Sequence, residues 1–295
     1  MRPRHDPPRV LSIAGSDSGG GAGIQADLKA FARCRVHGMT AITAITAQNT
    51  VAVTGVWPIP AEAIVAQVRA VADDIGVDAV KIGMLGTAET IAAVDEALDL
   101  LPGVPVVLDP VMVAESGASL LDSDAQIALR ELLLPRATVV TPNMAEAEAL
   151  AWGVAAGNGD PTASGTKGPD AESLARAVWD LGPAAVVVTG GHREEAIDMF
   201  FDGERLVEIP GERYPGGAAH GSGCTHSSAL AAHLALGFDP LEAARRAKQV
   251  ASEAVRQGLH GVGKGAGPVD VFGLAGGESP AAPDREGDLL GPQAV

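Results

Sequence analysis

The chain is short of aromatic residues, of cysteine and of positive charge. Aromatics are 3% of its 295 residues, so a core must be assembled chiefly from Ala, Val, Leu and Ile. Its two cysteines, Cys34 and Cys224, provide no disulfide framework, which fits a reducing, cytoplasmic setting. Lys and Arg number 21 against 37 acidic residues, for a net charge of −16. Such a surface excludes nucleic acid as a general partner, because phosphate backbones require basic ground. A small anionic ligand is not excluded, since it needs only a local positive site. Residues 1–9 carry charges and three prolines but no apolar stretch, so they read as a flexible N-terminus rather than a signal peptide. No uninterrupted apolar run reaches the roughly 18 residues of a membrane span, and no internal repeat is visible.

What the chain has is glycine at strand ends. Hydrophobic residues make up 46%, enough for a large core without metals or disulfides. Apolar runs at 10–14, 78–82, 104–108, 137–140 and 184–188 read as strands. Helical stretches are predicted over 24–36, 60–74, 87–101, 122–134, 144–152, 171–181 and 240–259. In the first, Ile24, Leu28 and Phe31 share a face. Alternating strands and helices predict an α/β fold, with a mainly parallel central sheet covered on both faces. The stretch 40–48 reads as one strand, with 51–57 a second β run after a turn at Gln48-Asn49-Thr50, so that a β-ribbon flap is expected. Residues 196–201 and 205–209 read as a hairpin. The polar stretch 153–170 is expected to be a mobile insertion, and 273–295 a disordered tail.

Ligands of such sheets sit beyond the C-terminal strand ends. Asp17, Gly83, Asp109, Asn143, Thr189 and Gly221 all fall there. The densest signal is HGSGCTH at 220–226, leading into an Ala- and Leu-rich helix. A helix N-terminus offers unpaired N–H groups and a positive dipole end to an anion. Cys224 in that field is expected to have a lowered pKa and to serve as a base. The competing reading is a glycine-rich cap with a buried cysteine. In the loop at 15–23, Asp17 and Asp27 are candidate hydrogen-bond partners for a polar ligand, although the glycine spacing misses the dinucleotide fingerprint. Asp109, Asn143 and Glu146 offer hard oxygens suited to Mg²⁺; Asn143 and Glu146 also fit a capping box. The run from Gly258 to Lys264 misses a P-loop, because Gly265 stands where Ser or Thr is required. The histidines have no zinc-ligand spacing, and Cys34 reads as a core residue.

Several stretches stand together in one order: AGSD at 14–17, GGAGIQAD at 20–27, TAQNT at 46–50, VKIGML at 80–85, VLDPVMV at 107–113, TPN at 141–143 with Glu146, GGH at 190–192, GSGCT at 221–225 and GVGKGAGP at 261–268. In this the chain resembles the bacterial hydroxymethylpyrimidine/phosphomethylpyrimidine kinases of thiamine biosynthesis, in the ribokinase-like superfamily. The resemblance covers about residues 10–272 and implies a single kinase domain, a three-layer α/β/α sandwich with a small β flap. It implies an ATP- and Mg²⁺-dependent transfer to 4-amino-5-hydroxymethyl-2-methylpyrimidine and then to its monophosphate. By the same resemblance Gln48 would bond the aminopyrimidine, and Asp27, Gly15, Asp17, Met84 and Val111 would line its pocket. Asp109, Asn143 and Glu146 would organise the metal. Gly221, Ser222 and Gly223 would form the anion hole, with Cys224 where many relatives carry an aspartate base. Thr189, Gly191, His192, Lys248 and Lys264 would lie near the nucleotide, and the family suggests a homodimer. The run YPGGAA at 214–219 replaces an Asp-Thr…Asn-Thr-type run expected before the anion loop. Pyridoxal kinase and a weakly catalytic binding protein are the alternative readings.

Overall fold

The computed structural model describes residues 6–113, 117, 120–153, 170–190, 196–214 and 218–276. Gly191 and His192 lie outside the described residues, as do nearly all of the expected insertion and most of the expected tail. The strands are β1 (Arg9–Ala14), β2 (His37–Ile42), β3 (Ala44–Gln48), β4 (Val53–Pro58), β5 (Ala79–Ile82), β6 (Val106–Leu108), β7 (Val139–Val140), β8 (Val186–Val188), β9 (Asp198–Phe201) and β10 (Leu206–Ile209). The helices are α1 (Gly23–Arg33), α2 (Ala61–Asp74), α3 (Ala88–Leu98), α4 (Ser123–Ala128), α5 (Met144–Trp152), α6 (Ala171–Trp179), α7 (Ser222–Ala235) and α8 (Pro240–Arg256). Eight strands form one sheet in the order β10-β9-β8-β7-β6-β5-β1-β2. From β2 to β8 its neighbours are parallel; β9 and β10 add the expected antiparallel hairpin at one edge.

Side-chain parity sorts each strand into two cores. Leu11, Ile13, Val80, Ile82, Leu108 and Val188 pack with Ile64, Ile91, Leu150 and Leu174 of α2, α3, α5 and α6. Val10, Ala79, Val107, Val139 and Val187 point the other way, onto Phe31, Leu230 and Ala244 of α1, α7 and α8. Among the described residues, no helix is long and apolar enough to cross a membrane.

Four expectations need correction. The strand expected over 40–48 breaks at Thr43, and β3 leaves the main sheet to pair with β4 as the flap. The break is stabilised where it occurs: the Thr43 hydroxyl donates to the Met84 carbonyl at 2.9 Å, and the Gln67 amide bonds both the N–H and the C=O of Ile42. The helix expected over 122–134 is capped by Asp122 as anticipated but keeps α geometry only to Ala128. It then widens into a π turn and ends in a 3₁₀ turn at Pro135, which has no N–H to offer. The last helix stops at Arg256 rather than near 259. Leu28 is 38% exposed while Ile24 and Phe31 are buried, so it sits at the margin of the α1 apolar face.

One polar group interrupts the second core. Lys81 in β5 shares the parity of Ala79 and so points into the layer of α1 and α7. Its Nζ lies 2.9 Å from Asp27 Oδ1, and neither side chain is solvent-exposed. Ser12 Oγ donates to Asp27 Oδ2 at 2.6 Å and Ser228 Oγ to Oδ1 at 2.7 Å. Removing one partner strands a buried charge. Asp27→Ala should therefore cost about 3–5 kcal/mol in urea unfolding, and the apolar pair Asp27→Leu/Lys81→Met should recover most of it.

Candidate active site

Beyond the C-terminal ends of the parallel strands lies a cavity of about 420 Å³. Across the sheet its floor runs from Thr189 after β8, through Asn143 after β7 and Asp109 after β6, to Met84 after β5 and Gly15 after β1. Gln48, Val111, Asp17, Glu146, Lys248 and the α7 residues Gly221, Ser222, Gly223 and Cys224 complete the predicted set on its wall. Asp27 is absent from that wall. Its carboxylate lies beneath the floor and is saturated by Lys81, Ser12 and Ser228, so its expected substrate contact is replaced by a supporting role. Lys264 is exposed and likewise outside the cavity wall.

The loop after β1 is folded by Asp17. Its carboxylate accepts the N–H groups of Gly19, Gly21 and Ala22 at 2.8–3.0 Å, and His220 Nε2 lies 3.0 Å away. Burial opposes the Asp17 charge, but His220 and these amides outweigh it and hold the carboxyl below its usual range. Asp17 thus borders the cavity while its carboxylate braces its own loop. Ser18 grips the flap: its hydroxyl donates to the Gln48 carbonyl at 2.7 Å and accepts the Gln48 N–H at 2.9 Å. The Gln48 side-chain oxygen lies 3.4 Å from Thr46 Oγ1. A Cβ on Gly15 would stand 2.5 Å from Met84 Cε, so a side chain at position 15 would displace the Met84 methyl.

Helix α7 starts at Gly221, which is left-handed at φ 84°. A side chain there would also strike the Gly21 carbonyl. The Ser222 N–H is already given to the Ala219 carbonyl at 2.9 Å. Ser222 is thus committed within the loop, and other first-turn amides, those of Gly223 and Cys224 among them, remain for an anion. A Cβ at Gly223 would meet no atom within 4 Å.

Cys224 departs from expectation. Burial pushes its thiol up to about 12; Lys81 opposes this, and Asp109 and Asp27 add to it. The backbone N–H of Gly23 also favours the thiolate, without reversing the balance. Helix dipole and lysine are outweighed by desolvation and two carboxylates, so the resting group is a thiol.

Asp109 ends β6 and accepts the Ser227 hydroxyl at 2.8 Å. Burial raises its pKa, against the pull of Lys81 and Ser227. Glu146 is pushed up to about 8, first by burial and then by the Asp109 charge. Asn143 and Glu146 make a full capping box for α5: Asn143 Oδ1 accepts the Glu146 N–H at 3.0 Å, and Glu146 Oε2 accepts the Asn143 N–H at 2.9 Å. The Asn143 amide oxygen thus caps α5 while the residue remains on the cavity wall. Among the described residues no group of three or more His, Cys, Asp or Glu could enclose a metal ion. Two mutually repelling carboxylates on a cavity wall nevertheless suit Mg²⁺, which is commonly held by one or two carboxylates with phosphates and water.

Four functional candidates escaped the sequence reading: Lys81, Asp198, His226 and Ser227. Asp198 Oδ1 accepts from Lys248 Nζ at 2.6 Å and from the Gly190 N–H at 2.9 Å. His226 Nε2 lies 3.5 Å from Asp198 Oδ2, and burial, joined by Lys248, keeps the imidazole below its ordinary pKa despite Asp198. The available signal was a single charge inside each apolar strand, AVKI and DMFF.

The sequence signature of the phosphomethylpyrimidine kinase family matches residues 17–270. The chain belongs to that family. It is 49% identical over 268 residues to the hydroxymethylpyrimidine/phosphomethylpyrimidine kinase of Rhizobium meliloti, covering 89% of this chain and 96% of that one. It is 43% identical to a thiamine biosynthesis bifunctional protein of Geobacter sulfurreducens, covering 88% of this chain and 51% of that protein. The Bacillus subtilis pyridoxal kinase, solved as an ADP complex, superposes with a TM-score of 0.80 at 37% identity, over 91% of this chain and 99% of that one. The family's layered α/β architecture is the one described above.

The raised Glu146 pKa has a sign that can be measured. An acid whose pKa is higher folded than unfolded binds its proton more tightly in the folded chain. Without divalent cations, its contribution to stability is complete below the ordinary value of 4.5 and is lost as pH rises toward about 8. The urea midpoint of the wild type should fall across that interval, and Glu146→Gln should flatten the fall.

Proposed function

We propose that this chain is the kinase that phosphorylates the hydroxymethyl group of 4-amino-5-hydroxymethyl-2-methylpyrimidine with ATP and then phosphorylates the monophosphate, in thiamine biosynthesis. The observation that carries this reading is family membership joined to one cavity. That cavity holds Gln48 at the β1 end, the α7 N-terminus and Asp109 centrally, and Thr189 with Lys248 at the β8 end. Gln48 would donate to one ring-edge atom of the aminopyrimidine and accept from its amino group. The nucleotide would take the end with Thr189 and Lys248. Mg²⁺, held by Asp109 and Glu146, would neutralise charge on the phosphates. The Gly223 and Cys224 amides face where negative charge develops on the transferring group. Lys81, kept cationic by Asp27 and Asp109 against the cost of burial, adds positive field from below.

Because Cys224 rests as a thiol it has no free valence for the proton. Its role would be to orient the attacking hydroxyl by a hydrogen bond, and the hydroxyl proton would pass late to an oxygen of the phosphoryl group being transferred, as the bond to the nucleotide's leaving oxygen breaks. The monophosphate, in contrast, attacks through an oxygen already ionised at neutral pH. Cys224→Ala should therefore lower kcat for the alcohol by roughly 10²-fold, the scale of a lost positioning contact, and that for the monophosphate far less. Equal losses in the two steps would mean an anion-hole or structural role.

The similarity to a pyridoxal kinase supports one second reading, phosphorylation of pyridoxal. Incubation with Mg-ATP and each alcohol separates the two. Preferential turnover of the pyrimidine is expected. Equal or faster turnover of pyridoxal would displace it, and no turnover of either would leave a binding protein. A soluble homodimer is part of the proposal.

A further inference from the structure

The flap bearing Gln48 is tied down at its tip by a residue outside the cavity. Just past β3, Asn49 Oδ1 accepts the N–H groups of Val51 and Ala52 at 2.9 and 3.0 Å. This tight turn presents Thr50 to the glycine-rich loop that follows α8. Thr50 Oγ1 accepts the N–H groups of Lys264 and Gly265, both at 3.2 Å. The approach depends on glycine. Gly263 has φ +79°, and a side chain there would strike the Thr50 side chain; one on Gly265 would strike the Thr50 carbonyl.

The other end of this loop is fixed to the phosphate side of the cavity. Its base is closed by the Leu259 N–H on the Pro268 carbonyl at 2.9 Å, and the Val269 N–H donates to the His220 carbonyl at 3.1 Å. His220 stands one residue before the α7 cap and contacts Asp17. Ser18, next to Asp17, holds the backbone of Gln48. The contacts therefore close a ring from Gln48 through Ser18 and Asp17 to His220, along the glycine-rich loop, and back through Thr50.

We propose that Thr50 is a positioning residue, whose hydroxyl latches the flap tip to the 259–268 loop and so sets Gln48 opposite the α7 N-terminus. The loop backbone, rather than the Lys264 side chain, is what acts on the site. The substrate half of the test rests on the function proposed above; the exchange half does not.

Thr50→Val keeps the branched shape and removes the acceptor, whereas Thr50→Ser keeps the acceptor and removes the methyl. Hydrogen–deuterium exchange of the flap, residues 44–58, should quicken by about tenfold in Thr50→Val and stay near wild type in Thr50→Ser. Exchange in β5 and β6 should not change in either. The KM for the pyrimidine alcohol should rise about 5–10-fold in Thr50→Val, with kcat within about twofold, and Thr50→Ser should restore it. Unchanged flap exchange in Thr50→Val overturns the latch. So does equal loosening in Thr50→Ser, or equal loosening of flap and sheet. A flap that loosens as described in a protein that turns over no pyrimidine would sustain the latch and reject the substrate assignment.

Discussion

The fully buried contact between Lys81 and Asp27 is the constraint on which the site depends. It joins β5 to α1 and, through Ser12 and Ser228, also recruits β1 and α7. These four elements bring together the loop of Asp17, the strand leading to Met84 and the helix bearing Cys224. A buried ion pair is weak support for stability, because desolvation offsets much of its attraction. Its value here is positional and electrostatic. Asp27 holds a cation directly under the cavity, where its field reaches both Cys224 and Asp109. An apolar pair of similar volume would fill the same space and leave the phosphoryl-transfer end without that charge.

The sheet was readable from the chain because its strands are short apolar runs punctuated by glycine and proline. Strand-end residues such as Asp109, Asn143 and Thr189 were placed correctly because a parallel sheet sends all its C-terminal ends to one side. Lys81 and Asp198 were not, since a run buried on both faces carries no alternation to reveal which layer a polar residue enters. The break at Thr43 was hidden for a related reason: residues on both sides of it favour β structure, and only Gln67 and Met84, distant in sequence, show where pairing stops. Local chemistry also misled. The helix-dipole argument for Cys224 considered the positive helix end but not the surrounding burial and carboxylates. The capping box of Asn143, visible from its spacing to Glu146, does form.

Several glycines act through contacts remote in sequence. Gly21 accommodates the His220 ring, Gly221 passes the Gly21 carbonyl, and Gly263 and Gly265 accommodate Thr50. The glycine-rich stretches thus resemble phosphate loops in composition while serving largely to let separate loops touch. The start of α7, where Gly223 is open and first-turn amides remain for a ligand, combines glycine with anion-binding geometry. This explains how the 258–265 run can approximate a P-loop in sequence and lie away from the cavity.

The charge balance of the cavity bears on how a polyanion enters it. Among the described residues, five acids line it (Asp17, Asp109, Glu146, Asp198 and Glu212) against Lys81, Arg213 and Lys248 as permanent cations. Two of those cations are already engaged, Lys81 by Asp27 and Lys248 by Asp198. A nucleotide triphosphate would add several negative charges to a wall that already has an acidic excess. The α7 amides and dipole offset only part of this, since a helix end is equivalent to about half a unit charge. The remainder has to arrive with the ligand. Burial and then the Asp109 charge raise the proton affinity of Glu146. A divalent cation held by this pair, as proposed, would relieve the same repulsion that the proton does, so its binding would be tied to loss of the Glu146 proton.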